Sequence, residues 1–211
     1  MKIAFMGTQC NGKSTLIKEF IKRWPMYKEV KSTYRKLIKT GKVTNNEEGT
    51  ADSQKAILNA IIDDTQNATA KGDDFLVFDR CVIDNIVYSL WLNEKGKVSD
   101  EFIMDTKHIA FQAIKTFDII FYIPLREEIT IVPKKGRALD PIYRQEIDNL
   151  FRAVVGTYEK NQGIFFPRED CPAVITLEGP PDLRIEQIPM YIKPSGKFFH
   201  EEDGSLLANI N

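Results

Sequence analysis

The sequence predicts an α/β domain, a parallel sheet with helices packed on both of its faces. Three observations point there. Short and almost wholly apolar runs, among them KIAFM (2–6), FLVF (75–78) and DIIFYI (118–123), read as strands buried on both sides. Segments with apolar residues at helical spacing alternate with those runs. The length, 211 residues, suits one ordinary domain with a full hydrophobic core.

The elements follow in order. Lys2 to Met6 is the first strand, and Lys13 to Lys22 is a helix carrying Leu16, Ile17, Phe20 and Ile21 on one face. Tyr27 to Val30 is a short second strand. Ala51 to Ala68 is a helix with apolar positions at 56, 57, 60, 61 and 62. Phe75 to Phe78 is the third strand, followed by helices at Val82 to Leu92 and Asp100 to Thr116. Asp118 to Ile123 forms the fourth strand, Ile142 to Glu159 a helix, Ala173 to Leu177 the fifth strand and Asp182 to Ile188 a short helix. The tail from Met190 to His200 turns at Pro194-Ser195-Gly196 between two strand-like runs, which predicts a hairpin. No repeat, low-complexity tract or long linker divides the chain.

Composition excludes several classes. Lys and Arg number 29 against 30 Asp and Glu, so the strong basic footprint of a general nucleic-acid binder is absent. No apolar run reaches the roughly 18 residues a membrane span needs, and the N-terminus reads as a strand rather than an export signal. The three cysteines, Cys10, Cys81 and Cys171, form no CxxC or zinc pattern, which predicts a reduced, cytoplasmic setting. His108 and His200 read as surface or structural residues.

The segment Gly7-Thr8-Gln9-Cys10-Asn11-Gly12-Lys13-Ser14 fits G-x-x-x-x-G-K-[ST] at every fixed position, between a strand and a helix. Its glycines let the loop wrap phosphate oxygens closely. Its backbone N–H groups and the following helix N-terminus supply partial positive charge. Lys13 is expected to reach the β- and γ-phosphates of ATP, and the Ser14 hydroxyl, beside Thr15, to ligate Mg²⁺.

Two further clusters carry chemistry. Asp79-Arg80 ends the third strand, in FLVFDRCVIDNIVYS. A carboxylate there can bind Mg²⁺ or accept the proton of an attacking hydroxyl. The adjacent arginine can hold an anionic substrate or the transferring group. The plainer alternative makes Asp79 a helix cap. The second cluster, Lys134-Lys135-Gly136-Arg137 through Arg144, suits a movable lid at about 126–145 whose arginines close over the transferring phosphoryl and exclude water. The base-reading N-K-x-D motif, a D-x-x-G switch after the third strand and LSGGQ are all absent.

GTQCNGKST, FDRCVIDNIVYS and GRALDPIYRQEIDNLF together resemble the nucleoside and nucleotide kinase group of P-loop proteins. The likeness is to compact AAA-like kinases related to nicotinamide riboside kinase, many carried by bacteriophages, with a DR motif like that of thymidylate kinases. Cys81-Val82 stands where thymidylate kinases usually have serines or a tyrosine, and herpes-type deoxynucleoside kinases have Glu-Arg-Ser. The resemblance implies a three-layer P-loop NTPase fold, a five-stranded parallel sheet in the order 2-3-1-4-5, over residues 1–188, with 189–211 as the hairpin or tail. It implies ATP and Mg²⁺ as cofactors, Lys13 and Ser14 as phosphate and metal ligands, and Asp79 as base or metal carboxylate. Arg80 becomes a substrate or phosphoryl ligand, and Arg137 and Arg144 become lid arginines. Gln54 sits where related kinases read the base, and Tyr34 and Arg35 are placed to meet the substrate. The expected reaction moves the γ-phosphoryl of ATP to a nucleoside monophosphate or nucleoside in the cytoplasm, the host's if the chain is phage-encoded. Nicotinamide riboside is the alternative acceptor, and an ATP-driven switch or ATPase acting on a protein partner is the alternative class. The tail can cover a hydrophobic edge, make a homodimer contact or border the adenine site.

Overall fold

The structure is a computed structural model, and it describes residues 1–126, 140–160 and 171–199. Five parallel strands form one sheet in the order β2-β3-β1-β4-β5. They are β1 (Lys2–Met6), β2 (Lys28–Glu29), β3 (Leu76–Asp79), β4 (Ile119–Tyr122) and β5 (Ala173–Thr176). The order matches the expectation from sequence. In register, Phe5 pairs with Asp79 on one side and with Phe121 on the other, so the C-terminal ends of β1, β3 and β4 lie together.

The apolar runs are continuous because both faces of the strands are covered. Ala4, Met6, Leu76, Phe78, Ile120 and Tyr122 enter one core. Their neighbours Ile3, Phe5, Val77, Ile119, Phe121 and Ile123 enter the other. This is the period-two alternation of a strand, with apolar residues in both phases. Helices α3 (Ala51–Ala70), α4 (Val82–Glu94), α5 (Asp100–Ile114) and α6 (Pro141–Glu159) supply residues to the first core. Helix α1 (Lys13–Arg23), helix α7 (Pro181–Gln187) and the following segment fill the second.

Element ends follow local chemistry. The Thr50 hydroxyl accepts from the Ser53 amide at the start of α3, and the Ser99 hydroxyl accepts from the Phe102 amide at the start of α5. At α6, Asp140 Oδ1 accepts from the Ile142 amide at 2.8 Å, and Pro141 fills the first helical position.

Three expectations change. Residues Thr33–Lys39 form a helix, α2, that the sequence did not announce. The second strand is only Lys28–Glu29. The tail does turn at 194–196, but its pairing is a single antiparallel bridge between Ile192 and Phe198, after a 3₁₀ turn at Ile188–Met190. Two side chains from the connection between α1 and β2 bond to carbonyls of this turn. Trp24 Nε1 donates to the Lys193 carbonyl and the Tyr27 hydroxyl to that of Gly196, at 2.9 and 2.6 Å. The tail thus covers the second core, with Ile192 buried in it. No helix among the described residues is long and apolar enough to cross a membrane.

Candidate active site

Residues Gly7 to Gly12 join β1 to α1. Gly7 has φ +137, and a Cβ there would meet the Ile123 carbonyl oxygen at 2.4 Å, so only glycine fits. Gly12 (φ +90) caps α1, and Cys10 (φ +60) also takes a left-handed conformation. Cations satisfy five successive carbonyls of this loop. Lys13 Nζ donates to the carbonyls of Gly7 and Thr8 at 2.5 and 2.6 Å. Arg144 reaches those of Gln9 (3.4 Å) and Cys10 (3.3 Å), and Arg184 that of Asn11 at 2.9 Å. Thr8 Oγ1 bonds Asp148 on α6, and Asn11 Nδ2 donates to the Ile123 carbonyl at 2.5 Å. The carbonyls are thus taken up by cations, and of the loop's amides those of Gly7 and Gln9 donate to Asp84 Oδ1 and the Tyr88 hydroxyl, each at 3.3 Å.

Burial lowers the pKa of Lys13 to about 8; the nearby Arg80 lowers it too, against the opposing pull of Asp84 and Asp79. Ser14 and Thr15 are exposed at the start of α1. Ser14 Oγ donates to Asp79 Oδ2 at 2.7 Å, so the two expected metal-binding residues lie side by side. Asp79 does not cap α4. That task falls to Asp84, whose Oδ2 accepts from the Cys81 amide and whose Oδ1 accepts from the Gly7 amide. Asp79 Oδ1 is buried and has no hydrogen-bond partner among the described residues. Mg²⁺ uses one or two protein oxygens and takes the rest from phosphate and water, so this hard-oxygen pair fits it.

Arg80 adopts φ +92, a conformation rare outside glycine. Its guanidinium lies between the Tyr34 and Tyr88 rings, 5.4 and 5.0 Å from their centroids, with Asp84 at 4.0 Å. Burial opposes its charge, but the two tyrosines and the carboxylates of Asp84 and Asp79 outweigh that and hold its pKa well above the usual value. Arg35, on α2, pairs with Asp79. Gln54, on α3, is buried, and Asn85 Nδ2 donates both to its side-chain oxygen (2.9 Å) and to its backbone carbonyl (3.0 Å). Asn85 Oδ1 is buried without a partner.

The phosphate loop, Ser14, Arg35, Arg80, Gln54 and Asn85 line one cleft of about 470 Å³, whereas Asp79 lines a small neighbouring hollow with Val30, Asp64 and Phe78. A second cavity of about 370 Å³ lies between α1 and α7, lined by Leu16, Pro181 and Ile185 among others. The two meet at Gly12 and Thr15.

Arg144 departs from its expected place. It lies in the first turns of α6, 6% exposed, with its guanidinium on the phosphate loop. Arg137 and the rest of 127–139 lie outside the described residues. Sequence reasoning missed Asp84, Asn85 and Arg184. The spacing D-R-x-x-x-D marks Asp84 one helical turn beyond the DR pair, and that spacing was its available signal.

A strand, a phosphate loop cornered by glycines, a helix, and an acid at the end of the adjacent strand define a P-loop α/β protein. The family model described as an AAA domain matches residues 2–162, and the chain belongs to that family. In three dimensions it is similar to NadR protein in complex with NR, with a TM-score of 0.64 at 14% identity over 94% of this chain and 52% of that one. It is also similar to deoxyadenosine kinase from M. mycoides with bound dATP, with a TM-score of 0.61 at 20% identity over 89% and 96% of the two chains. The chain thus spans about half the length of NadR and nearly all of the kinase's. At such identities the likeness is one of fold alone. No curated protein matches the chain.

Proposed function

We propose that the protein transfers the γ-phosphoryl group of ATP to a nucleoside monophosphate or nucleoside. One observation carries this reading. Two cavities meet at the phosphate loop, one a mostly apolar slot and the other ending in a carboxamide pair beyond two arginines. The slot between α1 and α7 suits the adenine of the donor. The cleft suits an acceptor, with Gln54 and Asn85 facing its base and Arg80 and Arg35 nearer its phosphate or sugar. An ATPase acting only on a protein partner has no use for that second, base-sized compartment.

Each side chain has a task. Lys13, in charged form, meets the β- and γ-phosphates, and the loop amides meet their oxygens. Ser14 and Asp79 would hold Mg²⁺, which neutralises charge on the phosphates when bound. Asp79, beside Ser14, is also the carboxylate that would receive the proton of an acceptor hydroxyl. Arg80, fixed between two tyrosines, offers donors at a set position and loses little freedom on binding.

Two acceptor readings use the same residues. Charge favours the monophosphate, because its negative charges need cations to replace their hydration, and Arg80, held between two tyrosines, and Arg35 both border the cleft. The test is ADP release with Mg²⁺-ATP and a panel of deoxynucleosides, their monophosphates and nicotinamide riboside. Acceleration by monophosphates, lost in Arg80→Ala, is expected. Acceleration by nicotinamide riboside alone makes the chain a nicotinamide riboside kinase. No acceleration by any member sinks the small-acceptor reading.

A further inference from the structure

The Ser14–Asp79 pair already holds a cation, and that cation belongs to the protein. Asp79 Oδ2 accepts from Ser14 Oγ and from Arg35 Nη2, and the same Nη2 lies 3.3 Å from Ser14 Oγ. One guanidinium nitrogen therefore bridges both oxygens. The Asp79 side chain is 3% exposed and that of Arg35 is 50% exposed. A carboxylate so buried requires a positive partner. Other cations nearby are engaged elsewhere, Lys13 on the loop carbonyls and Arg80 between its tyrosines.

We propose that Arg35 is the placeholder for magnesium: it neutralises the Ser14–Asp79 pair until the metal arrives, and the metal must displace it to bind. This rests on the reading of Ser14 and Asp79 as the metal pair. Mg²⁺ sits about 2.0–2.1 Å from its oxygen ligands, which leaves no room for an N–H on the same side of Asp79 Oδ2. Two cations at that oxygen also repel. The exchange needs only a side-chain swing. The α2 backbone is tied down where the Thr33 amide and hydroxyl donate to Asp64, and Tyr34 beside it is buried. The half-exposed Arg35 side chain can turn from Asp79 into the cleft it borders, toward where the acceptor's phosphate is proposed to lie, while α2 stays in place. The device keeps a buried carboxylate compensated in both states, and it makes metal affinity the difference between two cations rather than the full attraction of one.

The experiment is a titration of Mn²⁺, followed by the paramagnetic signal of the free ion, into ADP-saturated protein. Wild type, Arg35→Gln and Asp79→Asn are compared, with metal-free ADP affinity measured alongside to fix saturation. Arg35→Gln is expected to bind Mn²⁺ on the order of tenfold more tightly than wild type, because nothing has to be displaced. Asp79→Asn is expected to bind it much more weakly. Equal Mn²⁺ affinity in wild type and Arg35→Gln, with Asp79→Asn still weakened, overturns the placeholder role and leaves the metal pair standing. Unchanged affinity in Asp79→Asn overturns the metal pair and the placeholder with it.

Discussion

At the scale of single residues, Lys13 makes the sharpest claim. Its ordinary pKa of 10.5 falls to about 8 through burial. Phosphate needs the charged form and in turn favours it, so bound nucleotide raises the pKa again. The sign follows: above pH 8 the free protein has lost this proton and must regain it to bind. At pH 9 nucleotide binding is expected to take up roughly 0.9 proton, and affinity to fall with rising pH from 8 upward. Calorimetry in two buffers of different ionisation enthalpy measures the uptake, and none would mean an ordinary lysine. Lys13→Ala should abolish turnover without unfolding the chain. Asp79 is the second case. Asp79→Asn keeps the shape but accepts no proton and holds a divalent ion weakly. A loss of turnover on the order of 10²-fold is expected, with metal-free nucleotide affinity changed much less. Rate and binding, measured separately, decide it, and an unaffected rate would remove Asp79 from the chemistry. Lys13, Ser14 and Asp79 were legible because their chemistry is local, a loop and a strand end. Gln54 was only a glutamine on a helix until folding buried it against Asn85, 31 residues away.

At the scale of elements, the phosphate loop is held from outside by α6 and α7. Arg184 is 2% exposed and donates to Asn11, 173 residues earlier, and to the Pro124 carbonyl after β4. Arg184→Met keeps most of the volume and removes both bonds. It is expected to cost about 1–3 kcal/mol of stability and to weaken nucleotide binding, read from denaturant melts with and without ADP. A variant as stable as wild type would show that α7 merely rests on the loop. No pattern in the sequence joined these positions, since neither α7 nor its arginine differs from any short solvated helix. The strands were legible to within a residue or two wherever both faces are covered, as in β1, β3 and β4. Helix α2 was not, because Thr33–Lys39 has a short apolar stripe and depends on Tyr34 and Asp64 for its anchoring. The tail read as a hairpin from its turn, and its two arms do pair around 194–196, with the side chains of Trp24 and Tyr27 bonding to the turn as well.

At the scale of the whole molecule, the parallel order β2-β3-β1-β4-β5 brings the phosphate loop after β1 beside the acid at the end of β3. One cavity opens on each side of that junction. On the proposed function, this layout would place the donor on one side and the acceptor on the other. The most direct measurement follows the γ-phosphoryl itself. ATP labelled with ³²P at the γ position is mixed with Mg²⁺, the protein and a mixture of deoxynucleoside monophosphates and nucleosides, and the products are separated. The label is expected in a phosphorylated acceptor, with far less in inorganic phosphate, and in neither with Lys13→Ala. Label released only as inorganic phosphate, at a rate indifferent to every acceptor, would contradict transfer to a small molecule.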